Sequence, residues 1–105
     1  MKMVVIMYLE EDEPCVSKLM ARLAIPAWSR MPVEGHGPRM APGWAGEASP
    51  FQSRLIFSFL PDEIARTLVD AVAKCKGVED PRHPIRAALL GVEKFVHCRL
   101  MEPAE

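Results

Sequence analysis

An almost uninterrupted apolar run opens the chain, where residues Lys2 to Leu9 read KMVVIMYL. A run of this length that is rich in β-branched residues is typical of a central strand with both faces covered. Such a strand needs neighbours, and 105 residues, half of them hydrophobic, are enough for one small core. The run therefore predicts one domain built around a sheet, with residues 2–9 as its first strand.

Two later segments carry apolar residues at helical spacing. The first begins near Pro14, ends at Pro26, and has as its apolar positions Val16, Leu19, Met20 and Leu23. The second begins at Pro61, is closed by Lys74, Lys76 and Gly77, and has as its apolar positions Ile64, Leu68, Val69 and Val72. We expect two amphipathic helices that cover one face of a sheet.

Three more strands are predicted, at residues 27–34, 54–60 and 85–90. The order strand, helix, strand then occurs twice, which indicates an α+β, ferredoxin-like βαββαβ fold: a four-stranded antiparallel sheet with two helices on one face. The other face would be open to solvent. Its candidate apolar residues are Met3, Val5, Met7, Phe57 or Leu89, but the sequence does not fix which alternate residues of each strand point to this face. Because such a face is an apolar patch, we expect oligomerisation to cover it.

Between the second and third strands lies a long segment rich in glycine and proline. It starts with Gly35, His36 and Gly37, and glycines at this spacing allow a sharp bend and close approach to a ligand. Long loops without regular structure are usually functional. Trp44 within this loop is a candidate anchor for a partner protein, with packing back on its own oligomer as the equal alternative.

Charge and composition narrow the function. A net charge of −1 gives no general reason to expect nucleic acid as a partner. No apolar run approaches the roughly 20 residues of a membrane helix, and the first residues lack the features of a secretory signal, so we expect a cytoplasmic protein. The three cysteines are widely spaced without a CxxC pair, which indicates neither a disulfide framework nor a zinc site.

Other reactive residues show no catalytic or metal-binding pattern. His36, His83 and His97 with Cys98 invite a metal hypothesis, but neighbours such as His97 and Cys98 on a strand point to opposite faces. The acidic run Glu10 to Glu13 is most simply a solvated charge cluster at a helix start. With no visible acid, base or nucleophile set, we expect that the protein is not an enzyme and that it has no metal site.

Several of these segments resemble the PII-like signalling proteins, ferredoxin-like trimers that belong to the nitrogen regulatory PII superfamily. The segments that carry the resemblance cover nearly the whole domain: the opening strand, Ile25-Pro26, Val33-Glu34-Gly35-His36-Gly37, Leu60-Pro61-Asp62-Glu63, and the closing IRAALLGVE from Ile85. The resemblance implies a domain at 1–96 with a tail at 97–105, and makes residues 38–50 the counterpart of the family's T-loop.

The resemblance also implies a nucleotide in the cleft between subunits. Gly35, His36, Gly37 and Arg39 would form the loop base of that site, and Arg82 and Arg86 would approach phosphates. The effector would be ATP, ADP or AMP. However, residues 78–84 lack the family's glycine-rich phosphate loop, and the only tyrosine, Tyr8, is not in the long loop.

The function expected from this resemblance is that of a non-enzymatic regulator. A small anionic effector would bind at the intersubunit clefts of a homotrimer and, through the long loop, control a membrane transporter or metabolic enzyme. The alternative is a metal-responsive binding protein that resembles CutA or the PII-like proteins linked to metal efflux, with His36 or the His97-Cys98 tail as ligand.

Overall fold

The elements alternate in the predicted order. In a computed structural model that describes residues 1–36, 51–75 and 83–97, the elements are β1 at Lys2–Leu9, α1 at Glu13–Arg22, β2 at Ser29–Gly35, β3 at Phe51–Leu60, α2 at Asp62–Ala73 and β4 at Ile85–Gly91. A short 3-10 turn at Glu10–Asp12 joins β1 to α1. The predicted ferredoxin-like fold class is therefore confirmed.

The sheet has the strand order β2-β3-β1-β4, and every neighbouring pair is antiparallel. The most apolar strand, β1, lies in the interior between β3 and β4, as its sequence predicts. The two edge strands are β2 and β4. The end of β2 and the starts of β3 and β4 consequently lie toward one end of the sheet, where β1 also ends.

Both helices pack on one face of this sheet. The core residues are all less than a tenth exposed and come from β1, β3, α1 and α2. They are chiefly Val4, Ile6, Tyr8, Val16, Leu19, Met20, Ile56, Leu60, Ala65, Leu68 and Val72. Alternate residues of β1 and β3 and one stripe of each helix thus form a single core. Removing this apolar surface from water is the main stabilising term.

Helix α1 ends before Pro26 because the chain adopts a Schellman motif. The amide of Ile25 donates to the carbonyl of Met20 at 3.1 Å, and the amide of Ala24 donates to the carbonyl of Ala21 at 3.0 Å. Ala24 is left-handed, with φ of 53°, a position usually held by glycine. Ile25 and Met20 are both buried and complete the hydrophobic contact of the motif. Pro26 follows a helix that has already ended.

Strands β2 and β3 extend further toward the long loop than their apolar residues indicate. The ladder begins at the pair Gly35 and Phe51, three residues before the predicted start of β3 at residue 54. The first residues of β3 are held by backbone pairing with β2 and, from Ser53, with β1. Because this stretch is polar, the pattern of apolar residues does not reveal it as a strand. Further along β3, the buried Ser58 hydroxyl donates to the carbonyl of Ala27 at 2.5 Å.

The sheet face opposite the helices is apolar, as predicted. Its side chains are half-buried or exposed and comprise Met3, Val5, Met7, Met31, Leu55, Phe57, Phe59, Ala88 and Leu90. We call this set the outer face. Leu89, the remaining candidate for this face, lies on the other one, because it pairs with Val4 and packs against the core beneath the helices. In the described residues no helix is long and apolar enough to cross a membrane.

The residues after β4 return to the outer face. The ring centroids of Phe95 and Phe59 lie 5.2 Å apart, and the His97 ring lies 5.9 Å from that of Phe95. Phe59 also meets Phe57 edge to face at 6.3 Å. The outer face therefore continues into an aromatic cluster at the opposite end of the sheet from the long loop.

Candidate functional site

The predicted loop base begins where β2 ends. Gly35 is the last residue of β2 and pairs with Phe51, the first residue of β3. His36 follows, and its Nε2 lies 3.3 Å from Oε2 of Glu34. Both side chains of this pair are largely exposed. The structure thus places Gly35 and His36 at the exposed entry to the long loop.

Arg86 lies on the opposite edge strand. It is the second residue of β4, is exposed, and pairs with Met7 of β1 on the outer face. Three strand spacings and about four residue steps separate it from Gly35, which amounts to about 20 Å between Cα atoms. Both residues lie toward the same end of the sheet, but one chain does not bring them into contact.

The remaining predicted site residues lie outside the described part of the chain. These residues are Gly37, Arg39, Trp44 and Arg82. The predicted T-loop-like segment at 38–50 lies outside it as well, and so do Cys98 and the tail beyond it.

His83 connects the segment before β4 to the start of α1. Its Nδ1 lies 3.2 Å and 3.3 Å from the two carboxylate oxygens of Asp12. Asp12 directly precedes α1, so this contact joins the two elements that meet at the end of the sheet. The contact pairs His83 with a single carboxylate, and the described residues add no third metal-ligating side chain to this pair.

The best-defined polar geometry near this end of the sheet is a cluster centred on Glu13, the first residue of α1. The Tyr8 hydroxyl donates to Oε1 of Glu13 at 2.6 Å, and the Ser17 hydroxyl donates to Oε2 at 2.7 Å. Arg30 donates to Oε2 at 3.0 Å, and Arg54 donates to Oε1 at 3.4 Å. One carboxylate therefore joins α1 to β1, β2 and β3.

Partial burial and the surrounding donors set the protonation of this cluster. Burial acts to raise the pKa of the Glu13 carboxyl, but hydrogen bonds from Tyr8 and Ser17 and the charges of Arg30 and Arg54 outweigh it, so the pKa lies below its ordinary value. Burial, followed by the hydrogen bond to Glu13, raises the pKa of Tyr8 well above its ordinary value. At neutral pH Glu13 is ionised and Tyr8 is protonated.

The arginines of the cluster have further contacts. Arg54 also approaches Glu10, with an Nη atom 3.5 Å from Oε1, and its Nε is buried without a hydrogen-bond partner in the described residues. The Arg30 guanidinium lies 5.8 Å from the ring centroid of Trp28, over its face. Arg30 lies on β2 and Arg54 on β3, so the cluster holds one cation on each of the two strands that flank the long loop.

Sequence reasoning missed this cluster. The interpretation of Glu10 to Glu13 as a solvated charge cluster was wrong for Glu13, whose side chain is only 20% exposed and accepts four hydrogen bonds. Arg30 and Arg54 fall within two of the predicted strands, and nothing in the sequence pattern brings them to Glu13. The available signal was the alternation of β1, which places Tyr8 on the same face as Val4 and Ile6 and so requires a partner for its hydroxyl.

The described residues contain no group of three or more histidine, cysteine, aspartate or glutamate side chains that could hold a metal ion. His36 and His83 each face one carboxylate, and the other ligands that the metal hypothesis named include Cys98, which lies outside the described residues. The structure therefore adds no support to the metal-responsive alternative.

Comparison with known proteins identifies the fold. No protein-family profile matches the sequence, and no curated protein matches it. Among solved structures, the chain matches a protein from Thermus thermophilus described as a PII-like signalling protein, with a TM-score of 0.58, 19% sequence identity, and coverage of 84% of this chain and 82% of that one. This chain has the fold of the PII-like proteins.

A second PII-like structure matches over more of the chain. It is CPII, a nitrogen regulatory PII-like protein from Thiomonas intermedia, solved with ADP, AMP and bicarbonate bound. The TM-score is 0.59 at 12% identity, with coverage of 90% of this chain and 94% of that one. At these identities the likeness concerns the PII-like fold, so the resemblance that the sequence indicated is confirmed at that level.

Proposed function

We propose that this protein is a non-enzymatic signal-transduction regulator that binds a small anionic effector, such as an adenine nucleotide, between its subunits. The observation that supports the proposal is that Gly35 and His36, at the end of one edge strand, and Arg86, on the other edge strand, lie toward the same end of the sheet. The Thiomonas protein with the same fold was solved with ADP and AMP. A nucleotide-sized anion is therefore the first effector to test.

Assembly is the first step of the proposal. The outer face is too apolar to remain in water, with Met7, Phe59 and Leu90 each more than a third exposed. We propose that it is covered in a homotrimer. Within one chain, Arg86 on the edge strand β4 and Gly35 on the edge strand β2 are about 20 Å apart. In the trimer, β4 of one subunit would lie close to β2 of its neighbour, so that the two residues meet between subunits.

The proposed site combines backbone and guanidinium donors. Gly35, His36, Gly37 and Arg39 would form the loop base, where glycine allows the backbone to approach the ligand. Arg82 and Arg86 would pair with phosphate oxygens, since a planar guanidinium can donate to two oxygens at once. Arg86 is exposed on the edge strand β4, so an anionic ligand can reach it.

The output of the proposed regulator is the long loop. An effector that binds at the loop base favours one conformation of residues 38–50 by its differential affinity for that conformation. Trp44 would anchor the loop on a membrane transporter or metabolic enzyme, because large aromatic residues dominate protein interfaces. This mechanism binds and releases partners without bond cleavage.

Isothermal titration calorimetry tests the effector step. ATP, ADP, AMP and cyclic AMP are titrated into the wild-type protein and into Gly37→Ala, Arg86→Ala and Arg66→Ala variants. Arg66 is a matched control because it is an exposed arginine on α2, away from the proposed site. We expect binding of at least one nucleotide, weakened about tenfold or more by the first two substitutions and unchanged by the third.

Three outcomes would each contradict a part of the proposal. Absence of binding for all four nucleotides would exclude adenine nucleotides as the effector. Binding that Arg66→Ala weakens as much as Arg86→Ala would place the ligand elsewhere on the molecule. Loss of binding together with loss of assembly in Arg86→Ala, checked by light scattering, would indicate a structural role for that residue.

A further inference from the structure

Arg86 is the only charged residue that the described strands place on the side of the sheet opposite the helices. One row of paired residues crosses all four strands on this side and consists of Met31, Leu55, Met7 and Arg86. The other strand residues on this side are uncharged, and most of them belong to the outer face. The guanidinium therefore lies at the β4 edge of a mainly apolar surface.

Arg86 differs from the two arginines on the helical side of the sheet. Arg30 and Arg54 lie 3.0 Å and 3.4 Å from carboxylate oxygens of Glu13. Arg86 is exposed, and no carboxylate of residues 1–36, 51–75 or 83–97 forms an ion pair with it. A guanidinium stays protonated in proteins, so Arg86 cannot lose its charge on burial, as a lysine can.

This charge opposes the assembly that the outer face favours. A second copy placed on the outer face takes Met7 and Ala88, the neighbours of Arg86 on this side, out of water. Burial of the apolar side chains is favourable, but a guanidinium enclosed beside them without a counter-charge is strongly unfavourable. An anion between the subunits removes this penalty. A phosphate group suits the position, because a guanidinium can donate to two of its oxygens at once.

We propose that a phosphate-bearing anion at Arg86 is required for tight assembly of the subunits, so that the effector controls the oligomeric state as well as the long loop. This inference rests on the proposed function, from which it takes the homotrimer and the anionic effector. An anion that binds the assembled form better than the single subunit favours assembly by mass action. By reciprocity, the affinity for the anion rises with the protein concentration.

Sedimentation velocity over a dilution series of the full chain tests this coupling. The buffers contain chloride alone, ADP or inorganic pyrophosphate, all at the same ionic strength, and the two phosphate-bearing anions show whether the adenosine is needed. We expect the concentration at which half of the protein is assembled to fall at least about tenfold when an anion is present at about ten times its Kd, because each trimer has three sites.

Substitution of Arg86 by methionine reverses the sign of the effect. Arg86→Met removes the charge and keeps a long apolar side chain, so the variant should assemble more tightly than the wild type in chloride and should not respond to either anion. Arg66→Met is the matched control, because Arg66 is an exposed arginine on α2. It should assemble as the wild type does and keep the full response to the anion.

Three results would overturn the inference. Wild-type assembly that is equally tight in all three buffers would exclude the coupling, and the proposed function would still stand if calorimetry finds a bound nucleotide. Weaker assembly of Arg86→Met than of the wild type in chloride would show that a protein group of the neighbouring subunit already neutralises Arg86. A wild-type chain that stays monomeric in every buffer would exclude the homotrimer of the proposed function and this inference with it.

Discussion

Glu13 is the residue on which the polar structure of the domain most depends. Its carboxylate accepts hydrogen bonds from Tyr8, Ser17, Arg30 and Arg54, and these donors belong to four different elements. A single side chain therefore fixes the position of α1 relative to three strands. Glutamine in its place keeps the size of the side chain but removes the charge and one acceptor.

We expect Glu13→Gln to lower the free energy of unfolding by about 2 kcal/mol, because hydrogen bonds to an ionised group contribute about 1.5–3 kcal/mol and part of the site is exposed to solvent. Urea denaturation at pH 7 measures the change. Glu11→Gln is the matched control, since Glu11 is an exposed neighbour in the same acidic run. Equal destabilisation by both substitutions would contradict the role assigned to Glu13.

The pH dependence of this effect has a defined sign. The pKa of Glu13 is lowered in the folded state, so its stabilisation is present above the unfolded value of about 4.3 and is lost as pH falls through the folded value. The difference in stability between wild type and Glu13→Gln should therefore be full at pH 7 and shrink below pH 4. A difference that stays constant from pH 7 to pH 3 would show that charge is not its cause.

At the scale of the elements, the end of α1 carries a specific strain. Ala24 holds a left-handed conformation that costs an L-residue roughly 1 kcal/mol, and the Schellman motif around it is otherwise complete. The motif shows why the helix stops four residues before Pro26.

We expect Ala24→Gly to raise the free energy of unfolding by about 0.5–1 kcal/mol, because glycine adopts this conformation without a Cβ penalty. Ala21→Gly is the contrasting control, since Ala21 lies within α1 and glycine there should destabilise by about 1 kcal/mol. Urea denaturation of both variants measures the two signs. Destabilisation by Ala24→Gly would mean that the left-handed conformation of Ala24 costs less than the added freedom of glycine in the unfolded chain.

The elements also show how far the sequence predicts this fold. Apolar periodicity identified β1, both helices and their order, because these features follow from burying one face of each element. It placed the start of β3 three residues too late, because Gln52 and Ser53 are held by pairing rather than by apolar burial alone. It could not assign Leu89 to a face. A run of apolar residues shows neither which alternate residues point toward the helices nor which face the helices cover.

The candidate site was less predictable than the fold. Glycines before a long loop are visible in a sequence, whereas the Glu13 cluster joins residues that are up to 46 positions apart, from Tyr8 to Arg54. Such a cluster depends on strand register, which a single apolar pattern does not fix. The distance between the Gly35 and Arg86 edges follows from the strand order and is equally hidden.

At the scale of the whole molecule, the outer face governs assembly in the proposed function. Phe57 lies within it, pairing with Val5 on β1 and Ser29 on β2. We expect Phe57→Glu to convert a trimer to monomers, because a charge buried between apolar faces without a partner is strongly unfavourable. Light scattering coupled to size-exclusion chromatography measures the mass of the particle.

Ile64→Glu is the matched control for that experiment. Ile64 is an exposed apolar residue on α2, on the opposite side of the molecule from the outer face, so its substitution should leave the assembly unchanged. Dissociation by Ile64→Glu with an intact Phe57→Glu trimer would place the interface on the helices instead.

Pro32 has a consequence for the size of the particles that this chain can form. It lies in β2, an edge strand, and proline has no amide hydrogen to offer to a further strand. β4, the other edge, contains no proline, so the two edges are not equivalent as templates for strand addition. Sheets that join edge to edge would otherwise extend as open filaments, and Pro32 ends that growth at one edge, which favours closed assemblies of finite size.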